Sequence, residues 1–523
     1  MSTVGLAAPG GPGDPGDGLD GRGDGRGGPG DGAGEPGDGF DGPGDGAGCG
    51  LGGPGDGAVE RGDDPGAQRT GAGEPSDALD ELRTALGDRL LDDPASLAAY
   101  AVDSSRAQPD GLPVAVVRAT STGDVSAALA WAHARGIRVS VRGAGTGLSG
   151  GAVAYAGGLV VSLEAMNRIV AIDADNRLAD VEAGVVTADL DAAAHAHGLF
   201  FPPDPASAAW STIGGNIATN AGGLRCVAHG VTTDVVAALE VVLADGRVMR
   251  TGGRTRKNTT GYDLTSLFCG SEGTLGVITS ATVRLKPVPP GQPRTFRASF
   301  DDIEDAGRAV TAIVSGPAAP EVLELIDARS VEIIEAFHPS GLPSPGAAML
   351  VGQTVGLTAP ETAEQIAAIC RAHGASETEI SDSDSLLEAR RLANPALTAQ
   401  GLRVSCDVGV PVAQLATVFH GIGEIAERHG RRVAIVAHAG DGNLHPTVEA
   451  GDSPAEYAAA ERVIDDITRL ALSLGGTISG EHGIGSVKRH ELPWQLDATA
   501  LDVQHAIKAA LDPRGILTPG RAI

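Results

Sequence analysis

A chain of 523 residues with a formal net charge of −28 lacks the basic surface needed to bind nucleic acid or an anionic membrane. Its five cysteines, Cys49, Cys226, Cys269, Cys370 and Cys406, contain no C-x-x-C pair, which argues against a disulfide framework, a cysteine zinc site or an iron–sulfur cluster within the chain. There is no signal-peptide pattern and no apolar run of about 18 residues, so the expectation is a soluble protein of the cytoplasm without a membrane span, with peripheral membrane attachment as the alternative.

Residues Met1 to Ser76 are built from Gly-Pro-Gly-Asp-Gly-like units and carry fourteen acids against four arginines. Such a stretch cannot bury enough apolar surface to offset its ordering entropy, and a disordered tail is expected over 1–76. The strict Gly-X-Y period of collagen breaks at Gly27-Gly28-Pro29-Gly30-Asp31. From Asp77 the pattern turns globular, with Leu79, Leu82, Leu86, Leu90 and Leu91 at helical spacing. Pro113 to Arg118 reads as a strand, Thr120 to Arg135 as a helix stopped by Gly136, and Ile137 to Val141 as a second strand.

Next comes the glycine-dense loop Arg142-Gly143-Ala144-Gly145-Thr146-Gly147-Leu148-Ser149-Gly150-Gly151, followed by the apolar run Gly158 to Leu163. Glycines at this density let backbone N–H groups converge on an anion, because no Cβ stands in the way. In a nicotinamide Rossmann domain such a loop opens a helix. Here a strand follows, which argues for a different nucleotide fold. A second unit has a strand at Leu178 to Gly184 and a helix at Thr187 to His197. Phe201-Pro202-Pro203-Asp204-Pro205 then leads to a second glycine cluster, Thr212 to Gly223, too apolar for a linker and suited to backbone packed against a flat ligand. Val235 to Leu243 reads as a strand entering the turn Ala244 to Arg247, and Gly261-Tyr262-Asp263-Leu264 precedes Gly270 to Thr279.

The five motifs, taken in order, resemble the flavin-binding domain of the vanillyl-alcohol oxidase / p-cresol methylhydroxylase (PCMH) superfamily, in its D-2-hydroxy-acid dehydrogenase branch. The resemblance implies an α+β protein: a two-subdomain PCMH-type FAD-binding domain over 77–290, then an α+β FAD-linked oxidase C-terminal domain, for substrate and metal, over 291–523. It implies that FAD is held by Arg142, Gly143, Gly145, Thr146, Gly147, Leu148 and Ser149 of the loop, with Pro203, Thr212, Gly214, Gly215, Asn220, Gly222 and Ile278 from the later motifs. Thr146 stands where several relatives carry a flavin-linked histidine, so non-covalent FAD is expected.

After Pro290 the glycine clusters cease, and helices are expected at Phe300 to Ser315 and Ala359 to Gly374. Two apolar runs, Arg431 to His438 and Asn443 to Val448, flank Ala439-Gly440-Asp441-Gly442. If Asp441-Gly442 is a two-residue turn, His438 faces His445, with Cβ atoms roughly 4.5–5.5 Å apart. Two imidazoles so placed form either a metal site or a polar cross-strand pair, and Ser479-Gly480-Glu481-His482-Gly483 offers a third ligand. H-x-G-D-G-N-x-H and G-E-H-G-x-G are also C-terminal signatures of the same branch. The resemblance implies His438, His445 and Glu481 as ligands of a divalent ion, zinc or manganese, and His482 as the catalytic base. It also implies Arg390 as the holder of the substrate carboxylate, with Asn394 a further pocket residue and Arg391 a solvated neighbour. Some dicarboxylate-using relatives have lysine where Ser405 stands, which argues against a 2-hydroxyglutarate-type substrate.

The reading that follows is oxidation of a D-2-hydroxy acid, D-lactate-like or glycolate-like, to the 2-oxo acid. Electrons would leave to a quinone, cytochrome, flavoprotein or iron–sulfur partner, and a homodimer is the assembly considered. The alternatives are an FAD-carrying subunit of a multi-subunit glycolate oxidase, a D-2-hydroxyglutarate-type dehydrogenase, and a metallohydrolase in which bound FAD would be unexplained.

Overall fold

The structure, a computed structural model, describes residues 75–523 apart from 340, 341, 343, 345, 402 and 452. The acidic segment assigned to 1–76 lies outside the described residues except for its last two positions, which open the helix Pro75–Leu86. That helix stops at Gly87, whose φ of 60° is left-handed. Leu90 and Leu91, expected to continue the helical repeat, instead form β1 (Leu90–Leu91), antiparallel to β2 (Ala115–Arg118).

β3 (Val139–Arg142) and β4 (Leu159–Ser162) complete a four-stranded sheet in the order β1-β2-β4-β3, with β2, β4 and β3 parallel. Val116, Val117, Leu159, Val160 and Val161 are fully buried, as a parallel sheet covered on both faces requires. The helix Thr122–Arg135 packs on it, capped by Ser121, which accepts the Asp124 N–H, and closed by left-handed Gly136. Since β3 and β4 are parallel, the glycine loop is a crossover leaving the carboxyl end of β3, the end at which open α/β sheets present ligand sites.

The second sheet is antiparallel. It contains β5 (Ile169–Asp173), β6 (Leu178–Glu182), β8 (Val236–Val242), β9 (Val248–Gly252) and β10 (Val277–Arg284), in the order β5-β6-β10-β8-β9. β7 (Leu199–Phe200) and β11 (Lys286–Pro287) form a separate short antiparallel pair. The second glycine cluster, read only as backbone suited to pack against a flat ligand, contains the helix Ile213–Thr219. Thr212 caps it through Oγ1, which accepts the Gly215 N–H, and Asn220 ends it at φ 51°. Ile213 and Ile217 anchor this helix in the core beside Val241 and Phe268.

The second half is built on one large antiparallel sheet of β12 (Arg294–Phe300), β13 (Val322–Asp327), β14 (Ala348–Thr354), β15 (Ala375–Ser381), β16 (Arg403–Ser405), β17 (Val408–Gly409), β18 (Val433–His438) and β19 (Asn443–Glu449). Its order is β15-β12-β14-β13-β18-β19-β16, with β17 also on β19. The first expected helix begins later than read, at Ile303–Val314, because Phe300 ends β12 and the Asp302 side chain caps the helix at Glu304 N. The second is Ala359–Ala372. One sheet face packs on Ile303–Val314, Ala359–Ala372, Leu415–His429 and Pro454–Ser473. The other packs on Ala328–Phe337 and the consecutive helices Ser385–Arg391 and Ala393–Ala399.

The chain then returns to its first half. Ile507 and Leu511 of the helix Ala498–Leu511 pack against the core of the second sheet. Leu517 bridges Val139 in parallel, with Val139 N donating to Ile516 O at 2.8 Å and Thr518 N to Val139 O at 2.8 Å.

Candidate active site

The β18–β19 hairpin has a longer turn than expected. His438 pairs with Asn443 and Val436 with His445, so the turn is the four residues Ala439 to Gly442. The pairing has slipped by two residues. Side chains alternate with period two, so a shift of two keeps every residue on its face. His438 and His445 therefore still meet, diagonally, with ring centroids 5.2 Å apart and planes at 88°.

Glu481 arrives on a segment wound around Asp407. The fully buried Asp407 carboxylate accepts the Ser479 hydroxyl at 2.7 Å and the N–H groups of Gly480, Glu481 and His482 at 3.0, 3.0 and 2.9 Å. Lys488 braces the same turn from behind by donating to Asp407 O and Ile478 O at 2.7 and 2.6 Å. Thus held, Glu481 Oε1 lies 3.4 Å from His438 Nε2 and 3.3 Å from His445 Nε2. His482 stacks on His445, ring centroids 5.1 Å apart and planes at 18°.

Behind His438 stands Glu324, wholly buried on β13, whose carboxylate meets His438 Nδ1 at 2.8 and 3.0 Å and Arg390 Nη2 at 2.9 Å. A carboxylate on Nδ1 fixes the ring so that Nε2 faces Glu481. Burial works against the charge on His438, but Glu324 and Glu481 hold its pKa well above the usual range. Burial likewise opposes ionisation of Glu481, yet His438 and His445 keep its carboxyl well below the usual value. For His482 burial wins, and its pKa is lowered despite Asp407. His445 Nδ1, Arg390 Nε and Asn443 Oδ1 are buried without a hydrogen-bond partner. Two imidazoles and a carboxylate with donor atoms within 4.8 Å of one another make a set that can hold a divalent ion with positions left for substrate.

The first half of the chain closes on this cluster. Gly222 lies so near Glu481 that a Cβ would sit 2.7 Å from Oε2. Ser149 Oγ donates to His482 O or Gly483 O, 2.8 and 2.9 Å away, and Ser149 O accepts Ser486 N at 2.9 Å. Glu272, half-buried, accepts the N–H groups of Ile484 and Gly485 at 2.8 Å each. Along the glycine loop itself, no backbone N–H from Ala144 to Gly151 finds an acceptor among the described residues. Gly143 packs on Thr212, where a Cβ would meet Oγ1 at 2.4 Å, and Gly145 adopts φ 74° beside the Arg142 guanidinium. A row of N–H groups without an acceptor among the described residues fits the phosphates of a dinucleotide.

Residues 290–522 match the model for FAD linked oxidases, C-terminal domain, and residues 113–252 match the model for the FAD binding domain. The chain belongs to the FAD-linked oxidases. Among the relatives of this FAD-linked oxidase is a glycolate oxidase subunit GlcD of Bacillus subtilis (strain 168), 38% identical over 438 residues, which are 82% of this chain and 93% of the relative. A D-lactate dehydrogenase of Archaeoglobus fulgidus is 41% identical over 418 residues, 78% and 91% of the two chains. A D-2-hydroxyglutarate dehydrogenase of Xanthomonas citri pv. viticola is 34% identical over 459 residues, 83% and 94%. In fold, the oxidase resembles p-cresol methylhydroxylase with substrate bound, at a TM-score of 0.72 and 19% identity, covering 86% of this chain and 96% of that one. The PCMH-type fold, the flavin and an oxidoreductase activity are thereby established.

Of the residues singled out in the sequence, the oxidase brings His438, His445, Glu481, His482 and Arg390 together. Thr146 and Leu148 lie on the loop, Leu148 exposed; Pro203, Thr212, Gly214 and Ile278 are buried; and Gly215 lies within, and Asn220 ends, the helix Ile213–Thr219, whose first turn packs on Gly143 of the loop. Asn394 is exposed on Ala393–Ala399, and only its carbonyl is engaged, by Thr398 Oγ1 at 2.8 Å. Arg391, taken for a solvated neighbour, is exposed and also meets Asp204 of the Pro-Pro-Asp-Pro segment at 3.0 Å. Glu324, Asp407 and Glu272 escaped the sequence reading. The one signal for Glu324 is a lone carboxylate in the otherwise apolar run Val322-Leu323-Glu324-Leu325-Ile326. A cavity of 480 Å³ opens beside the cluster, lined in part by Gly222, Cys226, His438, Asp441, Asn443 and Glu481.

Proposed function

We propose that this FAD-linked oxidase converts a D-2-hydroxy acid to its 2-oxo acid at the cluster of His438, His445, Glu481, His482 and Arg390. The contact of Gly222 with Glu481 supports the reading most directly, because it sets the metal-type ligands against the flavin-binding half with no side chain between. The activities named for the relatives share this chemistry.

When bound, non-covalent FAD supplies a two-electron acceptor, and a divalent ion at His438, His445 and Glu481 supplies positive charge that lowers the hydroxyl pKa. The residues do the rest. Arg390 offers a buried Nε without an acceptor to the substrate carboxylate, while Glu324 holds its Nη2. His482 takes the hydroxyl proton, the C–O single bond becomes a carbonyl, and the α-hydrogen leaves with its electron pair.

Anaerobic bleaching of the flavin absorbance by D- and L-2-hydroxy acids tests the proposal. A D-acid bleaches the wild type, and His482→Ala slows that step by about 10²–10⁴. A flavin-loaded protein that no acid bleaches overturns it.

A second reading, the FAD-carrying subunit of a multi-subunit oxidase, draws support from relatives named as subunits. The free cysteines Cys226, Cys269, Cys370 and Cys406 provide no cluster site, so an iron–sulfur relay would sit on a partner. In that case substrate bleaches the flavin, but reoxidation by a quinone or cytochrome requires the partner. The homodimer remains part of the proposal, and light scattering tests it.

A further inference from the structure

Two arginines beside the proposed active site have no acid to answer them. Arg403, on β16, donates to Thr398 Oγ1 through Nη2 at 2.9 Å, while its Nη1 is buried without a partner. The guanidinium nearest in charge is Arg106, from the first half of the chain, which reaches Gly401 O at 3.4 Å. Neither forms an ion pair among the described residues. Glu449, directly across from Arg403 in the sheet, is occupied by Arg329 and Arg432. Burial and the charge of Arg106 push Arg403 down to about 10, the signature of a cation lacking a counter-ion.

The position of Arg403 relates it to the cluster. β16 pairs with β19 as Arg403 with Glu449 and Ser405 with Thr447, so Arg403, Ser405, Thr447 and His445 share one sheet face. From His445 to the level of Arg403 is four residues of β19, about 13 Å. Only Ser405 and Thr447 stand between on these two strands, short side chains hydrogen-bonded to each other at 2.9 Å. The facing wall is the consecutive pair of helices, where Arg390, Asn394 and Thr398 recur at a spacing of four and span about 12 Å. A low polar floor thus runs from Arg390 and His445 to Arg403 and Thr398, with a guanidinium at each end: Arg390, paired with Glu324 through Nη2 but with Nε unpartnered, and Arg403, without an acid.

We propose that Arg403 and Arg106 bind a second carboxylate of the substrate, making the preferred substrate a 2-hydroxy acid with a further carboxylate beyond its α-carbon. The serine at position 405 pointed the other way in the sequence. The structure moves the cation two residues back on the same strand, to Arg403 on the same face. This inference rests on the proposed hydroxy-acid oxidation and assigns its substrate class.

The test compares kcat/KM for D-2-hydroxyglutarate and D-malate with that for D-lactate, in wild type and in Arg403→Gln and Arg106→Gln, with bound FAD measured in each. Wild type prefers a dicarboxylate, and each variant lowers the dicarboxylate-to-lactate ratio roughly tenfold or more, chiefly through KM. Arg391→Gln, whose partner is Asp204, keeps the ratio. A wild-type preference for lactate, or a ratio unmoved in both arginine variants, overturns the inference. So does loss of FAD with equal loss on all substrates, since the anion would then be a flavin phosphate. If no acid of either kind bleaches the flavin, it is the oxidation reading itself that fails.

Discussion

Glu324 is one carboxylate serving two functional side chains, His438 and Arg390, at 2.8 and 2.9 Å. Its replacement should therefore act twice. In Glu324→Gln the amide cannot neutralise either cation, and metal affinity falls about 10–100-fold while the flavin stays bound. Competition with a chelator, read as metal content per flavin, checks this; unchanged metal content would remove Glu324 from the site. The cluster of His438, His445, Glu481 and His482 was legible because these residues sit in short motifs with chemistry-bearing residue types. Glu324 and Asp407 were not, because each acts on residues more than sixty positions away, and only the sheet and the winding of Ser479 to Gly483 bring them together.

At the scale of elements, most strands and helices followed from periodicity and capping, as in Thr122–Arg135 between Ser121 and Gly136. The misses have local causes. Gly87 cut a leucine repeat that otherwise read as helix, and the helix Ile213–Thr219 was hidden by two glycines that permit close packing on Ala183 and Thr212. The hairpin turn was two residues too short in the reading, yet the face of each histidine survived. One helix start carries a pH dependence. Asp327 caps Ala328–Phe337 by accepting Ser330 N at 2.8 Å, and burial pushes its carboxyl from 3.8 up to about 6. The folded state thus binds this proton more tightly than the unfolded chain, so its contribution is full below pH 4 and is lost as pH rises toward 6, on the order of 2–3 kcal/mol. Asp327→Asn keeps a capping oxygen and removes the titration. Urea midpoints between pH 4 and 7.5 should show the variant gaining on wild type across that window; parallel curves would place the slope elsewhere.

For the whole molecule, the site belongs to neither half. Ser149 and Glu272 hold the segment that presents Glu481 and His482, and Arg391 ties the helix Ser385–Arg391 to Asp204. The C-terminal residues Ile516 and Leu517 are buried in the core of the first sheet. Removing Ile516 to Ile523 strips apolar cover and a hydrogen-bonded neighbour from β3, the strand that launches the glycine loop. The truncated chain should lose FAD retention and melt several degrees lower, as flavin fluorescence against temperature would show. Full retention would mean that the parallel bridge at Val139 is dispensable.

That bridge also orders events in time. A ribosome makes β3 long before Leu517, so the sheet bearing the cofactor loop stays open at one edge while the intervening polypeptide is synthesised. The nascent first half is thus an unfinished receptor. Cofactor capture is expected to follow synthesis of Leu517, and chains terminated before it lack a closed edge beside the binding loop.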